Sequence, residues 1–201
     1  MTENASTAAK VLEAARQLPE GTLLTAKELL HLGTRASVDQ ALSRLVRTGE
    51  LLRPSRGVYV APVTGKFGRR SPAPLSFVKS YAANRGERVA GSPASAANAL
   101  GLTTQVPVQE TYLTSGANRE FKLGRQTVTL RHAPPWLLLF PEEPAGELAR
   151  AIAWLGPYEV SAVLPKLRTA IPEAEVARLA RARSLMPTWA AGSVSALLAH
   201  A

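Results

Sequence analysis

Ser37, Gln40, Arg44 and Arg47 recur at spacings of three and four residues and make a donor-rich set. Arginine can pair with both major-groove acceptors of guanine and glutamine with adenine, so this set suits the reading of base edges. Arg35 and Ser43 lie between and beside its members. Residues suited to bond-breaking are sparser. Glu120-Phe-Lys122 would put a carboxylate and an ammonium on one face of a strand, and Glu110 would complete a restriction-nuclease-like metal site. Alternating charges on an exposed strand account for the same triplet, and three residues match such a motif often by chance. His31, His132 and His200 have no paired spacing with one another or with carboxylates, which makes each a surface or cap residue rather than a ligand. The chain has no cysteine, no G-x-x-x-x-G-K-[ST] loop and no G-x-G-x-x-G. No catalytic residue, metal or cofactor is expected. Trp136, Trp154 and Trp189 sit in apolar surroundings and read as core anchors.

The element that must carry the donor-rich set is a helix. At 100° per residue, Val38, Ala41, Leu42 and Leu45 fall on one face, and Ser37, Gln40, Arg44 and Arg47 on the opposite one. Its start is open between Thr34, which follows Gly33, and Ser37, which has Gln40 three residues on as in a capping box. Gly49 ends it, with Arg47 in the last turn, where a cation favours the helix dipole. Beyond Gly49 the period changes. Glu50 to Arg53 and Gly57 to Val60 are β-type runs around a P-S-R-G turn, a hairpin whose tip is flanked by Arg53 and Arg56. Alone, an amphipathic helix with arginine on its outer face is a solvated helix. Followed by an arginine-tipped hairpin, it reads as the second half of a winged helix-turn-helix, the helix entering the major groove and the hairpin lying on the backbone.

Upstream, Ser6 or Thr7 caps a helix running to about Leu18. Leu23-Leu24 forms a short strand or connector, and Thr25-Ala-Lys-Glu28 is a capping box opening a second helix to His31. Val63 to Pro74 is a break rich in Gly and Pro, whose Lys66, Arg69 and Arg70 read as a basic extension along DNA phosphates. Further on, Pro74–Asn84 and 92–101 read as helices. Strands are expected at 88–90, 112–114, 120–123 and 127–131, and helices at 147–155, 159–167, 173–184 and 188–198, with Pro165 expected to kink or shorten the second of these. The architecture is therefore α+β. A winged helix-turn-helix over 1–65, a basic linker over 66–74 and a mixed domain over 75–201 ending in helices are expected.

The formal charge is +9, from 24 Lys+Arg against 15 Asp+Glu, and eight basic residues against Asp39 and Glu50 fall between Gly33 and Arg70. That concentration points to a nucleic acid as partner, and the winged helix-turn-helix reading makes it double-stranded DNA. The expected contacts are Arg35, Ser37, Gln40, Ser43, Arg44 and Arg47 on the helix, with Arg53, Arg56, Lys66, Arg69 and Arg70 on phosphates. No apolar run approaches the roughly 20 residues of a membrane span, and the N-terminus lacks a signal pattern, so a cytoplasmic protein without a membrane partner is expected.

The run A-L-S-R-L-V-R-T-G-E-L-L-R-P-S-R-G-V-Y-V-A-P (41–62) resembles the winged helix of AbiEi-type antitoxins from bacterial type IV toxin-antitoxin systems. A-A-N-A-L-G-L-T-T-Q-V-P (96–107), Y-L-T-S-G (112–116) and L-G-R-Q-T-V-T-L-R-H (123–132) resemble the C-terminal domain of a compact subgroup of them. The resemblance implies a repressor of its own operon at inverted repeats, which also counters a nucleotidyltransferase-like toxin with or without direct contact. By position in the motif it implies that Arg44, Arg47, Arg53 and Arg56 face DNA. A stand-alone regulator sensing a small ligand is the alternative, and a nuclease with the E-x-K residues is a more distant one.

Overall fold

A computed structural model describes residues 6–66, 68–104 and 109–199. It is a mixed α+β chain that divides into two compact units, 1–86 with 119–129 and 87–118 with 130–201.

The first unit begins with α1 (Thr7–Gln17), capped by Ser6, whose hydroxyl accepts from the Ala9 amide. Then comes α2 (Arg35–Arg47), capped by Thr34 rather than Ser37: the Thr34 hydroxyl accepts from the Ser37 amide at 3.3 Å, and the Ser37 hydroxyl donates to the Thr34 carbonyl at 2.9 Å. Val38, Ala41, Leu42 and Leu45 are buried as their period requires, against Val11 and Ala15 of α1 and Leu24, Leu29, Leu51 and Tyr59. Fully burying each of the larger ones is worth about 1.5–3 kcal/mol.

Between α1 and α2 the expected second helix does not form as an α-helix. Glu28 does accept from the Thr25 amide at 2.8 Å, which is half of the capping box. The following amides bond three residues back, however, and only a single 3-10 turn, Leu30–Leu32, is completed before Gly33. Too few residues separate Thr25 from Gly33 to repay nucleation of an α-helix.

After α2, Gly49 (φ 72°) reverses the chain into β1 (Leu52–Ser55) and β2 (Val58–Val60). Their turn is tighter than the P-S-R-G expected. Ser55 pairs with Val58, leaving Arg56-Gly57 at the tip, with Gly57 at φ 76°. Leu52 pairs with Val60, so Arg53 and Pro54 together oppose Tyr59. This bulge accommodates a proline that has no amide to give. Leu24 exchanges both backbone hydrogen bonds with Tyr59 at 2.9 Å, which adds the connector to the hairpin.

Where a linker was expected, a second hairpin forms: β3 (Val63–Gly65) with β4 (Gly68–Arg70), in register Val63↔Arg70 and Thr64↔Arg69. Its Gly content reads as a break in composition, but here the glycines close a turn between paired strands. α3 (Pro74–Arg85) also belongs to the first unit, not to a C-terminal domain as the expected boundary had it. So do β7 (Arg119–Leu123) and the start of β8 (Gln126–His132). Phe121 packs edge-on to Phe77 (5.1 Å) and Tyr81 (4.7 Å), and these aromatic contacts tie a distant segment to the unit.

The second unit holds β5 (Val89–Gly91), α4 (Pro93–Ala99) and β6 (Glu110–Thr114), with β5 antiparallel to β6. The strand order is β5-β6-β8-β7, with β8 beginning in the first unit and ending in the second. Its helices are α5 (Pro144–Ala170), α6 (Glu173–Arg181) and α7 (Thr188–Ala199), around a core that includes Leu148, Ile152, Leu167, Leu179 and Val194. Pro165 neither ends nor breaks α5. The interruption lies at Gly156 (φ 72°, ψ 179°), because Pro157 can open a helix but not continue one. Trp136 and Trp189 meet edge to face at 6.2 Å in this core, whereas Trp154 is exposed rather than an anchor. His200 and residues 105–107 of the second resemblance motif lie outside the described residues. No helix of the described residues is long and apolar enough to cross a membrane.

Candidate nucleic-acid interface

The outer face of α2 presents Gln40, Ser43, Arg44 and Arg47, all exposed, around a shallow concavity that Asp39 also lines. The four inward apolar residues fix the rotation of the helix, so this face is held toward solvent by the core. Among the described residues, the side chains of Gln40, Ser43, Arg44 and Arg47 have no hydrogen-bonding or ionic partner, and the same holds for Arg56 at the β1–β2 tip and Lys66 at the β3–β4 turn.

The other expected contacts are committed within the chain. Arg35 pairs with Asp39 one turn on, at 2.8 Å. The Ser37 hydroxyl is turned to the Thr34 carbonyl. The Arg53 guanidinium lies 5.8 Å from the centre of the Tyr59 ring. Arg69 donates to the Gly49 carbonyl at 3.2 Å and pairs with Glu50, which also holds Arg16 at 3.1 Å. Arg70 grips both oxygens of Glu20, at 2.9 and 3.2 Å, and the same carboxylate accepts from the Ala73 amide at 2.7 Å. Arg69 and Arg70 thus anchor the second hairpin to the unit rather than forming a free basic arm. The sequence reading missed Glu20 and Glu50 as their partners.

These contacts set the charge states. Hydrogen bonding from Arg69, then the charges of Arg69 and Arg16, hold the Glu50 carboxyl below its ordinary value, and hydrogen bonds from Arg70 and the Ala73 amide do the same for Glu20. A depressed carboxylate contributes stability above its unfolded pKa and loses it as pH falls through the lower, folded value. Glu50→Gln is therefore expected to lower the melting temperature at neutral pH and to have no effect well below the ordinary carboxylate range, where wild-type Glu50 is also protonated. An equal effect at both ends of a thermal-melt pH series would remove the ionic account of this clip.

Charge is segregated between the units. The first has 16 Lys and Arg against seven Asp and Glu, a net +9, and the second has eight of each and is neutral. The candidate catalytic residues do not form a comparable site. Glu120 and Lys122 make an exposed ion pair at 3.5 Å on β7, and Glu110 accepts from the Tyr112 hydroxyl at 3.0 Å. Among the described residues, no three His, Asp or Glu side chains gather as metal ligands. His31 faces the Glu28 carbonyl and His132 the Gly116 carbonyl, both at 2.9 Å.

No curated protein matches the chain. Among solved structures, the crystal structure of the RV2827C protein from Mycobacterium tuberculosis shares the fold, with a TM-score of 0.54 and 23% identity over 96% of this chain and 76% of that one. A family model described as a family of unknown function, DUF6088, matches residues 10–175, and the chain belongs to that family.

Proposed function

We propose that α1, the 3-10 turn, α2 and the β1–β2 hairpin act as a winged helix-turn-helix on double-stranded DNA, and that the protein is a sequence-specific repressor and the antitoxin of a type IV toxin-antitoxin system. The observation that carries the DNA reading is the outer face of α2, where Gln40, Ser43, Arg44 and Arg47 have no internal partner while nearby arginines are engaged by carboxylates or an aromatic ring. Unpaired arginines kept together on a rigid helix are available to a polyanion without first breaking ion pairs. Confinement of the whole net charge to that unit adds to this reading. Gln40, Ser43 and Arg44 are assigned to base edges, and Arg47, Arg56 and Lys66 to phosphates. Arg35, Ser37, Arg53, Arg69 and Arg70 shape and hold these elements.

The antitoxin role rests on the resemblance of residues 96–107, 112–116 and 123–132 to antitoxin C-terminal domains. The role is taken to be non-enzymatic, with a nucleotidyltransferase-like toxin as functional partner. Two measurements test the two parts. Titration of a random-sequence duplex against the full chain at several salt concentrations should show strong salt dependence, and Arg56→Ala or Lys66→Ala should each flatten its slope by about one. A wing variant that changes the preferred sequence while keeping the slope would instead make the wing a base reader. Co-expression with the product of an adjacent nucleotidyltransferase-like gene should restore growth, and growth arrest despite the full chain would refute the antitoxin half.

A further inference from the structure

The tip of the β7–β8 hairpin carries Gly124 and Arg125, and it returns to the basic unit from outside the N-terminal segment that holds the DNA-reading elements. The tip is held in place. The Ser71 hydroxyl donates to the Leu123 carbonyl at 3.0 Å, and Gly124 takes φ 64°. A Cβ on Gly124 would overlap that same hydroxyl. Arg125 therefore projects from a fixed turn. It is exposed and, among the described residues, has no ionic or hydrogen-bonding partner, the property that marks Arg44, Arg47, Arg56 and Lys66.

Arg125 lines an open groove of about 720 Å³ with Gly49, Leu52, Arg69, Arg70 and Gln126. The groove begins where α2 ends, because Gly49 lies two residues beyond Arg47. Its charge does not cancel. Of the three arginines that line it, Arg69 and Arg70 are compensated by Glu50 and Glu20, and Arg125 is uncompensated. A trough far larger than one phosphate group, positive at its rim and continuous with the end of α2, fits an extended phosphodiester backbone better than a single small anion.

We propose that this groove is a backbone track in which Arg125 contacts a DNA phosphate, extending the α2 interface onto the β7–β8 hairpin. The proposal rests on the DNA-binding reading above, and the test separates the two. The full-length wild type, Arg44→Ala, Arg125→Ala, Arg125→Lys and Arg131→Ala proteins are titrated against a labelled random-sequence duplex over a range of salt concentrations, with thermal melts to confirm folding. Arg125→Ala should bind several-fold more weakly and flatten the salt slope by about one, Arg125→Lys should keep the slope, and Arg131→Ala, on the neutral unit, should match wild type. Wild-type slope and affinity in Arg125→Ala, with the duplex bound by wild type, would overturn this inference and leave the DNA reading standing. Absence of duplex binding by wild type at every salt concentration would overturn both. In a second arm, inorganic phosphate is titrated in thermal melts. If phosphate stabilised wild type and not Arg125→Ala while duplex binding was equal in the two, the groove would be a small-anion site and the backbone track would be refuted.

Discussion

Arg44→Ala is expected to weaken binding to the preferred duplex by roughly 5- to 150-fold, the equivalent of about 1–3 kcal/mol for a bidentate contact to a base, while leaving the melting temperature unchanged. Both halves follow from the position of the side chain. Arg44 is exposed on the face of α2 opposite Val38, Ala41, Leu42 and Leu45, and no group within the described chain depends on its guanidinium. The loss should fall much more heavily on the preferred sequence than on random DNA, because a base contact discriminates and a phosphate contact does not. Selection of the preferred duplex from a random pool, followed by titration of wild type and variant on selected and random DNA, measures this difference. Equal loss on both would move Arg44 to the phosphate class, and no loss on either would remove α2 from the groove.

Gly146→Ala should be among the most damaging single substitutions in the second unit. Gly146 is buried in the first turns of α5, and an added Cβ would overlap the Phe140 carbonyl oxygen and lie 2.5 Å from that of Leu139. Both obstacles are backbone, so rotamer changes cannot relieve them. The segment has little freedom to withdraw: Phe140 is held at φ 46°, and the buried Arg150 donates to the carbonyls of Leu137 (3.4 Å) and Pro141 (3.1 Å). Overpacking against a pinned backbone belongs to the upper tail of mutational effects, at roughly 3 kcal/mol or more. At about 2–4 °C per kcal/mol for a chain of this size, the melting temperature should drop by about 10 °C. Gly192→Ala is the matched control. It lies in α7 with open space around its Cβ, and it should be neutral or slightly stabilising. Equal melting of the two variants would refute the steric account.

The parts of the fold legible in the sequence are those whose signal is local. α2 could be read because its four buried positions lie within eight residues, though the choice between Thr34 and Ser37 as its cap could not, and the turns at Gly49, Gly57 and Gly101 because each is glycine at positive φ. The capping box at Thr25 is also local and does form in part, yet it says nothing about how far the helix continues, which the nearness of Gly33 decides. The second hairpin was hidden because strand pairing needs two segments and only Val63 and Thr64 look like strand. Arg69 and Arg70 looked free because the carboxylates that hold them are 19 and 50 residues away. Nothing in their charge separates them from Arg44 or Arg56, and only the distant Glu50 and Glu20 do so.

The return of residues 119–129 to the basic unit has a consequence for synthesis. The cluster of Val11, Leu42, Leu45 and Tyr59 is complete within the first sixty residues and can collapse as soon as that stretch leaves the ribosome. The contacts of Phe77 and Tyr81 with Phe121 must wait for that residue, and in the interval the nascent chain carries incompletely packed rings beside an already assembled α2. A product truncated before residue 119 would therefore have α2 in place but these rings incompletely packed and would be open to proteolysis, so that stable protein accumulates only from messages translated well past α2.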